Sequence, residues 1–317
     1  MRLIALAAAL GALVYAAPAL AGNGGLAPVA PASENAQGIR DAYWLILAIT
    51  GAVFVIVETT LIVFLVRYRR RHGAGDAEGP QISNNRNLEI AWTVVPVLLL
   101  AAIVAFIFVK LPVIEDAPAA SPADSLTIRV EGNQYYWLFR YPDGQIAVDD
   151  MVIPVGKVVT LDVVAPDVIH SWWIPALGGK IDAIPRRTNH TWFKAERTGV
   201  FTGRCAELCG TEHAIMLASV EAVSPAAFAR FLATHTASSK TVGKETFEGV
   251  CAKCHGMKGQ GTDEAPAIAG RTFDAITAQL IREGGTRMPA VGAAWSTAQI
   301  NATVAYLNAT IGAGSGG

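Results

Sequence analysis

The sequence predicts a multidomain membrane protein: a two-helix transmembrane hairpin, then an all-β domain, then an all-α domain. Three observations predict this order. Two long apolar runs lie at about 42–66 and 90–111. Short β-type runs separated by turn residues fill about 125–223, and a final stretch of helical character follows a polar linker. Hydrophobic residues make up 52% of the 317, and charged residues only 16%. The net charge of -1 leaves no basic excess to neutralise phosphates, which argues against a nucleic-acid partner.

The chain begins with Arg2, a short apolar core and Ala19-Leu20-Ala21. A charged start, an apolar centre and small residues at the end describe a secretory signal peptide over 1–21. The competing reading, an extra membrane helix, fits less well because the run is short. Residues 22–40 are rich in Gly, Ala, Pro and Asn and read as a loose arm, so arm and spans together occupy 22–111. Each apolar run is long enough to cross the roughly 30 Å hydrocarbon core. The first ends in Arg67-Tyr68-Arg69-Arg70-Arg71, which places the loop between the spans in the cytoplasm and both ends of the mature chain outside. Glu58 interrupts the first span. It is a functional candidate, or else hydrogen-bonds a neighbouring membrane helix, and either use implies a membrane partner.

Residues 112–124, rich in Pro, Ala and Asp, form a linker. β-type runs follow at 126–130, 135–141, 151–153, 158–164, 189–193, 199–204 and 215–220, with turns at Pro142-Asp143-Gly144 and Pro154-Val155-Gly156. The pattern predicts a β sandwich or barrel, closed by a short helix near 227–234, giving a domain over 125–234. A polar stretch at 235–242 precedes helices near 244–251, 272–283 and 297–311, giving an all-α domain over 241–317.

The four cysteines fall in two close pairs. The first belongs to Cys205-Ala206-Glu207-Leu208-Cys209, followed by His213 and Met216, while His170 lies upstream at the end of a predicted strand. Thiolates, imidazoles and a thioether are a soft donor set suited to copper, and the layout resembles blue-copper sites. One copper needs only one thiolate. Two thiolates with two histidines can bridge and cap a pair of copper ions. Structural zinc or a disulfide would explain the cysteines taken alone, and Met216 alone would be core filler.

The second pair lies in Cys251-Ala252-Lys253-Cys254-His255, a c-type haem attachment motif in which the imidazole binds the iron. A thioredoxin-like redox pair is the alternative, but no βαβ pattern surrounds it. Met288, in Arg287-Met288-Pro289, is the candidate sixth iron ligand, since Met257 is too close to the motif to reach the opposite face.

The set His170, Cys205, Glu207, Cys209, His213 and Met216 resembles the dinuclear copper (CuA) site of cytochrome c oxidase subunit 2. The resemblance extends over about 40–225 and includes Glu89, Trp92 and Pro96 at the start of the second span and Lys180, Asp182 and Pro185 in the β domain. It implies a cupredoxin-like Greek-key fold, bridging thiolates at Cys205 and Cys209, and terminal ligands at His170 and His213. Met216 and the Glu207 carbonyl become weak axial ligands, and the Glu207 side chain helps hold an interfacial magnesium shared with subunit 1. Glu89 matches the glutamate at the mouth of a proton-uptake path; as a residue it reads equally as a helix N-terminal acid. The family takes electrons from an external cytochrome c through a surface tryptophan. Here Tyr135 occupies that position and Trp137 follows two residues later, a departure that the fused domain accounts for. The C-terminal segment is similar to class I cytochromes c, with Gly243 and Phe247 on a first helix, Tyr306 and Leu307 on a last, and Pro266 as the proline whose carbonyl orients the haem histidine.

These resemblances imply an electron-accepting subunit of a haem–copper terminal oxidase, in the inner (plasma) membrane of a bacterium, with both soluble domains on the periplasmic side. Its partners would be subunit 1, which reduces oxygen and pumps protons, subunit 3, and an upstream cytochrome c or bc complex. A copper-bearing subunit of a nitric oxide reductase is one alternative. A copper-binding assembly protein, with no turnover role, is another.

Overall fold

A computed structural model of the chain describes residues 28–69, 84–235 and 238–313. The signal peptide expected over 1–21 lies outside the described residues, as do Arg70, Arg71 and His72 and the end of the tail. Contacts divide the chain into two compact units, one of residues 37–114 and one formed by the rest.

The first unit is a helical hairpin. α1 runs Glu34–Arg67 and α2 runs Arg86–Glu115, both long and apolar enough to cross a membrane. The apolar window of each is 0% buried within the chain, so a lipid or protein surface must cover it. Asp41 and Lys110 pair at 2.9 Å and fix the two helices side by side. α1 starts well before the first apolar residue of the expected span, and α2 runs on through Pro112. Hydropathy reads the part that meets lipid, whereas the backbone carries its hydrogen-bond ladder on into polar turns.

The arm expected to be loose is partly anchored. Ala32 N–H donates to the Ala176 carbonyl at 2.7 Å, Ser33 Oγ to Leu177 O at 2.6 Å and Asn35 Nδ2 to Trp192 O at 2.6 Å. Small polar residues suggested flexibility, but their short side chains let this segment lie against the β domain and satisfy its backbone.

The β domain contains β1 (Ser125–Asn133), β2 (Tyr136–Arg140), β3 (Ile146–Val148), β4 (Asp150–Pro154), β5 (Val158–Val164), β6 (His170–Trp172), β7 (Ile181–Ala183), β8 (Asn189–Phe193), β9 (Gly199–Arg204) and β10 (Leu217–Val223). One sheet has the order β3-β2-β1-β5-β8, a second β4-β10-β9, and β6 pairs with β7. β1 lies parallel to β5 and β4 parallel to β10, the other pairs being antiparallel. Ile128, Val130, Phe139, Ile153, Leu161 and Val220 fill the space between the sheets. The Tyr141 hydroxyl donates to Val152 O and accepts from Val152 N–H, and burial pushes its pKa up. The fold is the cupredoxin-like sandwich expected. α3 (Pro225–Thr234) closes it, capped by Ser224, with Phe228 and Phe231 against Tyr141.

Every residue of β2 except Arg140 is buried. Trp137 and Phe139 face the sandwich core, while Tyr136 and Leu138 face a second cluster shared with the helical domain. An alternating strand buried on both faces is one that something covers from outside.

The helical domain contains α4 (Ser239–Thr246), a wider π turn over Phe247–Cys251, α5 (Ala252–His255), α6 (Ala275–Glu283) and α7 (Thr297–Thr310). α4 and α7 cross at Gly243, where a Cβ would stand 2.2 Å from the Ala302 carbonyl oxygen. Only glycine permits that approach. Phe247 and Tyr306 pack alongside with ring centroids 5.7 Å apart. Asp274 starts α6 with a reciprocal capping box, and Ser296 caps α7.

Candidate functional site

The first site is built where β6 and the β9–β10 loop meet at one end of the sandwich. β6 presents His170, fully buried, and the loop presents Cys205 and Cys209, both buried in the end of the core. Cys205 N–H donates to Met216 O and Ala206 N–H to Ser171 O, so backbone bonds tie the loop to both neighbouring segments. The two Sγ atoms stand 3.9 Å apart. His170 Nδ1 is 3.9 Å from the Cys205 sulfur, and His213 Nδ1 is 3.6 Å from the Cys209 sulfur. The Glu207 carbonyl oxygen is 3.2 Å from Cys205 Sγ, and Met216 Sδ is 3.8 Å from Cys209 Sγ. Each sulfur thus has one imidazole and one weak donor beside it. All six donors named from the sequence come together, and His170, Cys205 and Cys209 already form a metal-sized cluster.

The electrostatics describe a site that wants a cation. Burial raises the Cys205 thiol, but hydrogen bonds from the His170 side and the backbone outweigh it and bring its pKa down to about 6. Burial and then the charge of Cys205 push Cys209 up to about 12. Two thiolates at this separation repel, so both ionise only with positive charge between or beside them. His170 is oriented from behind: its Nε2 bonds Asp167 Oδ1 at 2.9 Å, which leaves Nδ1 facing the sulfurs. The donor set and its convergence fit copper.

The Glu207 carboxylate is half-exposed and points elsewhere, 3.9 Å from Lys180 Nζ. Tyr135 is partly buried, its hydroxyl accepting from Thr211 N–H at 3.1 Å. Trp137 does not reach the surface: it is 0% exposed, edge-on to Trp172 at 5.2 Å and to His170 at 6.0 Å. The inward phase of β2 puts it there, which corrects any surface role for its ring. Glu89 lies in the first turn of α2, exposed, with its carbonyl accepting from Thr93 Oγ1.

The second site is a cavity of about 450 Å³ in the helical domain. Cys251, Cys254, His255 and Met288 line it, with Ile268, Phe273 and Leu307 among its apolar wall. His255 Nδ1 donates to the Pro266 carbonyl at 2.8 Å, which fixes the tautomer with Nε2 free for a metal. Burial pushes the Cys251 thiol up to about 12, as suits a thiol held in an apolar pocket. An apolar slot with two thiols and an oriented imidazole on one side and a thioether on its lining fits a covalently attached haem. Sequence reasoning missed Asp167 and the two-sided burial of β2. Asp167 precedes His170 by three residues, a local signal that was there to read.

Three family descriptions match the chain. "Cytochrome C oxidase subunit II, transmembrane domain" covers residues 24–110, "Cytochrome C oxidase subunit II, periplasmic domain" covers 144–223, and "Cytochrome C oxidase, cbb3-type, subunit III" covers 238–307. Cytochrome c oxidase subunit 2 of Alkalihalophilus pseudofirmus is 37% identical over 263 residues, 78% of this chain and 75% of that protein. The same subunit of Cereibacter sphaeroides is 35% identical over 232 residues, 60% of this chain and 74% of that protein. The solved periplasmic domain of subunit II of the cytochrome oxidase of Bradyrhizobium japonicum is 40% identical, covering 38% of this chain and 96% of that one, with a TM-score of 0.35. The chain therefore belongs to the cytochrome c oxidase subunit 2 family, with a cytochrome c domain at its C-terminus.

Proposed function

We propose that this chain receives single electrons at a haem c and relays them through a dinuclear copper centre to subunit 1 of a proton-pumping haem–copper oxidase, where oxygen becomes water. The observation that carries the reading is the convergence of two imidazoles, a thioether and a carbonyl on two sulfurs 3.9 Å apart. Cys205 and Cys209, with His170, His213, Met216 and the Glu207 carbonyl beside them, would hold the copper pair. Cys251 and Cys254 would attach the haem, and His255 and Met288 would hold its iron. When bound, the copper pair and the haem iron each take up and give up one electron. The protein holds His170, Cys205, Cys209 and Met216 in a packed core, so little would have to move as charge comes and goes.

A partner surface surrounds the copper loop. Leu208, between the two cysteines, is 78% exposed, and Ile169, Ile215 and Leu217, next in sequence to His170 and Met216, are exposed too. Such an apolar rim calls for a protein cover, and subunit 1 is the fitting one, with subunit 3 further along the hairpin. The Glu207 carboxylate, half-exposed, would help hold an interfacial magnesium. Glu89 collects protons at the cytoplasmic mouth of α2. Arg67 and Arg69 mark the cytoplasmic side of the hairpin, so both soluble domains face the periplasm, where an upstream cytochrome c or bc complex supplies electrons. Cys209→Ser in the intact complex tests the reading. It is expected to remove the copper-pair spectrum and oxygen uptake while the haem stays attached. Oxygen uptake at the wild-type rate would refute it.

A further inference from the structure

The haem-binding domain is held against the β domain by contacts that no motif announces. Trp295 Nε1 donates to the Tyr136 hydroxyl at 2.7 Å, and that hydroxyl donates on to the Val291 carbonyl at 3.0 Å. Around this pair, Leu138 and Val148 of the β domain share one buried cluster with Val250 and Ile300 of the helical domain. Gly249, two residues before the haem-motif cysteine, lies directly on Val148: a Cβ there would stand 2.4 Å from Val148 Cβ. A glycine needed for one domain to touch another marks a fitted interface rather than a chance contact.

A charged contact lies at the edge of this face. Lys253, between the two haem-motif cysteines, pairs with Asp149 Oδ2 at 2.5 Å and donates to the Tyr135 carbonyl at 3.1 Å. Asp149 is set to receive it. Its φ is +61°, in the left-handed region, and its other carboxylate oxygen accepts Trp137 N–H at 2.9 Å. From Tyr135 the path continues in both directions that matter. The neighbouring Gln134 donates its Nε2 to the Cys209 carbonyl at 2.5 Å, and its backbone N–H to Asp167, which orients His170.

Resting on the reading of the two metal sites above, we propose that Lys253 and the Gly249–Val148 contact lock the haem domain in one fixed pose. In that pose Lys253, Tyr135 and Gln134 form the direct bridge from the haem-attachment segment to the Cys209 loop. The domain is then a docked module, not a carrier that swings on its linker. Lys253 is a positioning residue. The transfer it serves moves one electron and no atom: the haem iron is oxidised and the copper pair reduced, with no bond made or broken.

The test uses the full oxidase complex, with Gly249→Val and the milder Lys253→Met. Haem absorbance and the copper EPR signal are recorded first. Their absence from the wild type would sink the metal-site reading itself, and their presence isolates the docking question. Hydrogen exchange is then followed over residues 134–149 and 291–295, beside the rate of haem-to-copper electron transfer after flash reduction. Slow exchange in the wild type is expected. In both variants exchange should rise and transfer should slow by about tenfold or more, as for loss of a desolvated charge pair or a fitted contact. Rapid wild-type exchange, or a Lys253→Met protein with unchanged exchange and transfer, would overturn the proposal. If Gly249→Val fails to assemble, Lys253→Met decides alone.

Discussion

A pair of thiols 3.9 Å apart in a protein core is an unstable arrangement for anions and a good one for metal. The copper-side residues were legible because soft donors are scarce and all but His170 fall within a dozen positions, so their clustering is hard to explain otherwise. What orients them was read in one case only. Asp167 behind His170 acts through a single hydrogen bond at 2.9 Å that leaves little compositional trace, whereas Pro266, named from the resemblance, bonds His255 at 2.8 Å as expected. Met288 was chosen by elimination, and it lies on the wall of the cavity that also holds His255. A thioether on the iron raises the potential. Met288→Ala is therefore expected to lower the haem potential by on the order of 0.1 V, a fraction of the span that axial ligands cover. Redox titration of the haem band measures this, and an unshifted potential would point to another ligand.

The elements divide by how their residues signal them. The two long apolar helices were plain, because a bilayer demands length and near-continuous hydrophobicity. β3, β6 and β7 were not, because each has three residues and three residues carry no period. β6 nonetheless begins at His170, expected at the end of a strand, so a three-residue strand positions a candidate ligand. The haem-motif helix is also not one regular element: it widens over Phe247–Cys251 before α5. α2 carries the prediction that belongs to this scale. Glu89 sits in its first turn, exposed, where a helix dipole alone would welcome a carboxylate. If it gathers protons, Glu89→Ala slows turnover several-fold and leaves the haem and copper spectra as they were. Wild-type turnover in that variant would reduce Glu89 to a helix-terminal acid.

At the scale of the whole molecule, the order of parts was readable: spans, β domain, helical domain. How the last two meet was not. Tyr136 and Asp149, Gly249 and Lys253, and Trp295 come from three segments far apart along the chain and are ordinary in type, and only the fold brings them to one face. That face explains why β2 is buried on its outer side as well, through Tyr136 and Leu138. The proposed relay would depend first on two copper ions held by Cys205 and Cys209. Metal analysis joined to EPR of the purified, intact complex tests this most directly. It should find a mixed-valence signal with one unpaired electron spread over two coppers. It would be contradicted by zinc at these cysteines, or by the signal of one isolated copper ion.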